Sequence, residues 1–153
     1  MNLQTYLDEM GVPYHVSYHP QVYTAQTLAA VEHVPGMQVI KPVLIEADGQ
    51  FILCALPACH RIDLEELRRQ LEVDHVRLAD EKELQEVFQD CELGAEPPIG
   101  RMFGVPTIMD SSLLNDDCVT FQAGRHDASI TMRLSDFRRI AQPELAHFGR
   151  PMA

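Results

Sequence analysis

Lys41 is the first residue whose type and position suggest chemistry, because it interrupts the apolar run VIKPVLIEA. Alternate side chains of a strand share one face, so Lys41 would lie beside β-branched residues. If that face is inward, the ammonium group requires a partner, since burying an unpaired charge is costly. The alternative is a lysine whose charged end reaches solvent at a sheet edge.

Two glycine-containing stretches are further candidates. The loop GAEPPIG, from Gly94 to Gly100, has two glycines and two adjacent prolines. Glycine lets a ligand approach the backbone, and each proline fixes φ and removes a donor. The second stretch is AGRHD around His126, at a tight connection between two apolar runs. A stiff turn without a ligand and a structural histidine are the simpler interpretations of these two stretches.

Several common chemistries find no support in the sequence. There is no GxxxxGK[ST] phosphate loop and no GxSxG elbow. The cysteines are Cys54, Cys59, Cys91 and Cys118; their spacing with His60 matches no common zinc pattern, so we expect buried, reduced thiols and no metal site. The net charge of -11 argues against broad nucleic-acid binding, so any nucleic-acid contact should be small and local.

The elements that must position these residues follow from periodicity and capping signals. Helices are predicted at 2–10 and 24–34. Two more are predicted to begin at the capping-box pairs Asp63/Glu66 and Asp80/Glu83, and a last helix at a Ser135 cap. Strands are predicted at 12–18, 37–47, 50–56, 75–78, 105–109, 119–123 and 128–134, with a hairpin turn at Asp48-Gly49. The tail beyond Pro143 is expected to be loose. No long apolar run or basic N-terminal segment occurs, which predicts a soluble cytoplasmic domain.

In this order, the three stretches resemble the YbaK/prolyl-tRNA synthetase editing-domain family. The similar segments are VIKPVLIEADGQFILCALP, LGAEPPIGRMFGVPTIMDSSLL and FQAGRHDASITMRLSDF, which with the intervening helices cover residues 20–141. The resemblance implies one α+β domain over residues 1–153, with a mixed, barrel-like β-sheet surrounded by helices. It also implies a freestanding hydrolase that needs no cofactor and removes a small wrong amino acid from mischarged tRNA, typically proline tRNA.

The same resemblance implies the site residues and partners. Its catalytic residues would be Lys41, Gly100 and His126. Its substrate-binding residues would be Gly94, Ala95, Glu96, Pro97, Pro98, Gly124 and Arg125. Lys41 would contact the tRNA 3′ end, the loop backbone would position ester and water, and a ribose hydroxyl would assist the water. The partners would be the aminoacyl-tRNA 3′ end and, as a candidate, a prolyl-tRNA synthetase. A non-catalytic module that binds such 3′ ends, or a cysteine hydrolase, are the alternative functions.

Overall fold

The Asp48-Gly49 hairpin is the centre of the fold in a computed structural model, which describes residues 2–152. Both turn residues have positive φ, 46° and 87°, as a tight two-residue hairpin requires. The strands are β1 (His15–Tyr18), β2 (Ile40–Ala47), β3 (Gln50–Pro57), β4 (His60–Ile62), β5 (Val76–Leu78), β6 (Thr107–Asp110), β7 (Cys118–Gln122), β8 (Ala128–Arg133), β9 (Glu144–Ala146) and β10 (Gly149–Pro151). The α-helices are α1 (Leu3–Met10), α2 (Ala25–Glu32), α3 (Leu64–Leu71), α4 (Glu81–Val87) and α5 (Leu134–Ala141).

The strands form two larger sheets that meet at one point. The five-stranded sheet has the order β5-β2-β3-β6-β9, in which β3, β6 and β9 are parallel and the other pairs are antiparallel. The three-stranded sheet is antiparallel, with the order β1-β8-β7. An isolated parallel bridge between Val39 and Thr120 joins the two sheets. The predicted α+β fold with a mixed sheet is therefore confirmed, whereas its predicted barrel-like closure is not.

Helices cover both sheets with apolar side chains. Phe137 of α5 packs on Phe121 of β7 with ring centroids 5.9 Å apart, in a core that also contains Leu7 of α1. Leu67 of α3 packs with Phe148 against the five-stranded sheet. A fully buried side chain of this size contributes about 1.5–3 kcal/mol, so these contacts stabilise the packing of the helices on the sheets.

The C-terminal segment differs from its prediction. Instead of a loose tail, the chain beyond Pro143 forms β9 against β6 and β10 against β4. The reason is a tertiary anchor: Asp110 Oδ1 accepts hydrogen bonds from the N–H groups of Phe148 and Gly149, at 2.8 and 2.7 Å. The anchor places the fully buried Phe148 ring in the core.

Two capping predictions also need correction. Asp63 caps α3 by accepting from Glu66 N, but the N–H of Asp63 donates to Phe148 O instead of the Glu66 carboxylate. Only Asp80 and Glu83, within residues 2–152, form the complete capping box. Helix α5 begins at Leu134 after an Arg133 N-cap that has no side-chain bond, since β8 runs directly into the helix; Ser135 is already helical.

Candidate active site

A cavity of about 250 Å³ lies where β2 and β7 separate beyond the Val39–Thr120 bridge. Lys41 and Gln122 are each two residues past this parallel bridge, so their side chains share one face. Both line the cavity, together with Gly94 and Glu96 of the GAEPPIG loop and apolar residues of β2 and of 78–84. Strand β2, the GAEPPIG loop and strand β7 of the second sheet therefore contribute polar groups to one cavity.

Lys41 presents a half-buried cation to this cavity. Burial lowers the pKa of its ammonium group, and the neighbouring Cys59 partly opposes that shift. None of the ion pairs found among residues 2–152 includes Lys41. An unpaired cation at the mouth of a cavity is suited to an anionic or oxygen-rich ligand.

Backbone hydrogen bonds attach the GAEPPIG loop to the turn between β7 and β8. The N–H of Gly124 donates to Ala95 O at 2.9 Å, and Gly124 O accepts from the N–H of Glu92 at 2.9 Å. Gly94 and Gly124 have φ of 90° and 83°, values that favour glycine. The loop and the turn that the sequence singled out separately are thus one unit.

Glu96 folds back over the start of the loop. Its side chain is 5% exposed, and its Oε1 accepts from the N–H of Gly94 at 3.0 Å. No ion pair within the described part of the chain includes this carboxylate. Ala95 and Pro98 are buried behind the loop and do not line the cavity. A buried anion therefore faces the same space as the Lys41 ammonium.

His126 connects three backbone segments. Its ring is 6% exposed, with Nδ1 2.9 Å from Val22 O and Nε2 2.8 Å from Leu93 O. The Tyr23 ring packs on it with centroids 4.7 Å apart. Because both ring nitrogens face carbonyl oxygens, a proton-transfer role for His126 would require one of these contacts to break.

Other predicted site residues lie away from the Lys41 cavity. Pro97, Gly124 and Arg125 line a second cavity of about 120 Å³. The Arg125 guanidinium is exposed and pairs with Asp127 at 2.8 Å. Gly100 is buried in the 3₁₀ turn Gly100–Phe103, and its N–H already donates to the Thr107 hydroxyl at 2.9 Å. The predicted residues therefore fall into three groups: residues that line the Lys41 cavity, residues that line the second cavity, and buried residues that line neither.

Gln122 is the cavity residue that sequence reasoning missed. It is 6% exposed, and its Oε1 is buried without a hydrogen-bond partner among residues 2–152. A buried, unpaired polar atom is unusual in a folded protein. The available signal was a glutamine ending the apolar strand CVTFQ, but its position beside Lys41 depends on the bridge between the sheets.

Two of the four thiols, those of Cys54 and Cys91, offer little nucleophilic reactivity. Burial raises the pKa of Cys54 to about 12, and burial together with the charges of Glu96 and Asp90 raises that of Cys91 to about 11. Within the described chain, no cluster of three or more His, Cys, Asp or Glu side chains is placed to hold a metal ion. None of the helices in residues 2–152 is long and apolar enough to cross a membrane.

Comparison with known proteins identifies the class to which this fold and site belong. The family model of the aminoacyl-tRNA editing domain matches residues 19–140, so the chain belongs to that family. This match confirms the resemblance noted in the sequence.

Individual relatives support the same assignment. The chain is 28% identical to the multifunctional Ser/Thr-tRNA deacylase ProXp-y of Escherichia coli strain K12, over 94% of this chain and 89% of the relative. A solved structure described as a candidate trans-editing enzyme for prolyl tRNA synthetase superposes with a TM-score of 0.86 at 21% identity, covering 97% of this chain and 94% of that one. The solved structure of a hypothetical protein superposes with a TM-score of 0.87 at 17% identity, covering 97% of this chain and 99% of that one.

Proposed function

We propose that the protein is a trans-editing deacylase that hydrolyses the ester of mischarged aminoacyl-tRNA. The observation that carries this proposal is the cavity shared by the Lys41 cation, the GAEPPIG loop and the Gln122 amide. It is suited to a small acyl group attached to a polar, anionic end. The net charge of -11 is compatible with this function because only the tRNA 3′ end needs to be held.

Lys41 holds the 3′ end in this proposal. Its ammonium binds phosphate or ribose oxygens as a point charge, and its partial burial strengthens that interaction. A charge-assisted hydrogen bond of this kind is worth about 1.5–3 kcal/mol, equivalent to about 10- to 100-fold in kcat/KM.

The GAEPPIG backbone stabilises the developing oxyanion. The N–H groups of Gly94 and Ala95 already donate to Glu96 Oε1 and Glu92 O, and that of Gly100 donates to Thr107. The prolines have no N–H. Glu96 lines the cavity, and its N–H has no backbone partner within residues 2–152, which makes it the candidate oxyanion donor of the loop.

The reaction needs only water as co-substrate. The water oxygen bonds to the ester carbonyl carbon, the carbonyl–ribose C–O bond breaks, and the proton lost by water passes to the ribose oxygen. The products are the free amino acid and uncharged tRNA. His126 acts as a positioning residue, since its ring contacts hold the Leu93 end of the loop.

A deacylation panel tests this function. Proline tRNA charged with alanine, cysteine, serine, threonine or proline is incubated with wild type, Lys41→Ala and Lys82→Ala. Lys82 is the only other lysine and is exposed on α4, so it is the matched control. We expect hydrolysis of at least one small wrong amino acid, with serine and threonine the first to test because of the E. coli relative. Hydrolysis should be lost in Lys41→Ala and retained in Lys82→Ala.

Other outcomes of the panel are equally informative. Saturable binding of these tRNAs without turnover of any ester would replace the hydrolase by a non-catalytic binding module. Equal rates for Lys41→Ala and Lys82→Ala would remove Lys41 from the site. If proline tRNA is the edited tRNA, a prolyl-tRNA synthetase that produces the error is the proposed partner.

A further inference from the structure

We propose that Glu96 and Gln122 bind the α-ammonium group of the aminoacyl ester, so that the protein selects esters carrying a free amine. This inference rests on the proposed deacylase function and assigns a role to two polar side chains of the same cavity. It predicts that aminoacyl esters are preferred over 2-hydroxyacyl esters of the same shape.

The Glu96 carboxylate has no ion-pair partner within the described chain, because the Lys41 ammonium lines the same cavity but forms no ion pair with it. It is almost fully buried, and Oε1 accepts a hydrogen bond from the N–H of Gly94. No Lys, Arg or His within residues 2–152 forms an ion pair with it. A buried carboxylate without a counter-charge is costly, and a cationic ligand group entering the cavity would relieve that cost.

Gln122 supplies a second, independent acceptor. Its Oε1 is buried and has no partner in the described structure, although it lines the same cavity. It belongs to β7, whereas Glu96 belongs to the loop, so the two acceptors approach the cavity from different elements. An ammonium group has three N–H donors and can serve both acceptors, whereas a hydroxyl has one donor and no charge.

The opposite charge at Lys41 sets the orientation of the ester. Lys41 lines the cavity from β2 and would repel an ammonium group while attracting phosphate or ribose oxygens. An aminoacyl-tRNA end has these two charges at its two ends: the ammonium on the amino acid and the phosphate on the nucleotide. The cavity and the substrate are therefore complementary in only one direction.

The test compares seryl-tRNA with glyceryl-tRNA, made from it by nitrous acid deamination, which exchanges the α-ammonium for a hydroxyl. Each rate is divided by the uncatalysed rate of the same ester. Wild type is compared with Glu96→Gln, which keeps an acceptor for the Gly94 N–H but removes the charge. The matched control is Glu86→Gln, at an exposed position on α4. We expect wild type and the control to prefer seryl-tRNA by about 10- to 100-fold, and Glu96→Gln to lose most of that preference.

Gln122→Met, nearly isosteric but without a strong acceptor, should lower the same preference. The variant should lower the preference for the aminoacyl ester equally for alanyl-tRNA and lactyl-tRNA, whose side chains have no hydroxyl. A loss confined to the seryl/glyceryl pair would overturn the assignment by showing that Gln122 binds the serine hydroxyl. Equal wild-type rates on aminoacyl and hydroxyacyl esters would overturn the inference while leaving the deacylase function intact. Absence of hydrolysis of these esters and of every ester in the deacylation panel would instead refute the deacylase function.

Discussion

Gly100→Ala should destabilise the protein by a steric clash at a position for which the family resemblance implied a catalytic role. A Cβ at this position would lie 2.4 Å from Val105 O and 2.6 Å from Thr107 Oγ1. The segment cannot easily move away, because Pro106 O accepts from Leu53 N in the central strand β3 at 2.9 Å. The added methyl group therefore displaces backbone or breaks the Gly100–Thr107 hydrogen bond.

The magnitude follows from these two effects. Overpacking a rigid site typically costs about 1–3 kcal/mol, and a lost buried hydrogen bond adds about 1 kcal/mol. We therefore expect Gly100→Ala to lower the free energy of unfolding by about 2–4 kcal/mol, with a fall in Tm of roughly 5–15 °C for a domain of this size. Thr107→Val, which removes only the hydrogen bond, should cost about 1–3 kcal/mol.

Urea denaturation followed by circular dichroism measures these changes, with Gly104→Ala as the control. Gly104 has φ of 76°, but a Cβ added there would meet nothing within 4 Å, so its substitution costs only left-handed backbone strain of about 1–2 kcal/mol. The refuting result is a Gly100→Ala protein no less stable than Gly104→Ala. The close approach would then not explain the glycine, and the catalytic role would regain support.

Three further predictions concern the charged and hydrogen-bonded groups. Burial lowers the pKa of Lys41 below its usual 10.5. The kcat/KM, corrected for uncatalysed hydrolysis, should therefore fall as the pH rises, with an apparent pKa below that value. The Lys41→Ala variant should not show this fall at alkaline pH. His126→Phe should lower the free energy of unfolding by about 1–3 kcal/mol, because the carbonyl that accepts from the ring N–H loses its donor. Urea denaturation measures this change, and an unchanged midpoint would contradict the bridging role. Arg77 lowers the pKa of Glu83 from 4.5 to about 2. The ionised pair therefore stabilises the fold above pH 4.5, and this stabilisation is lost as the pH falls towards 2. The difference in Tm between wild type and Glu83→Gln should disappear over the same pH range.

Much of the local structure was predictable because its causes lie within a few residues of one another. Asn2 and Gly11 cap the two ends of α1, Asp80 caps α4, and the Asp48-Gly49 turn sets the central hairpin. Each depends on a capping hydrogen bond or a positive φ that residue type alone favours. The order of the lysine strand, the proline-glycine loop and the closing turn was likewise sufficient to indicate the family.

The composition of the site depended on contacts between residues far apart in the chain. Gln122 is beside Lys41 because one bridge joins the two sheets. His126 faces carbonyl groups of two distant segments.

The sequence by itself determined the Asp80 cap, the Gly11 helix end, the central turn and the family, since these depend on residue type and short spacing. Only the tertiary structure decided which polar groups share the cavity and which are already engaged elsewhere. The physical reason is that a side chain's hydrogen-bond partners are set by the packing of sheets and loops, which no local pattern encodes. The clearest example is the buried Gln122 Oε1, which has no hydrogen-bond partner among residues 2–152.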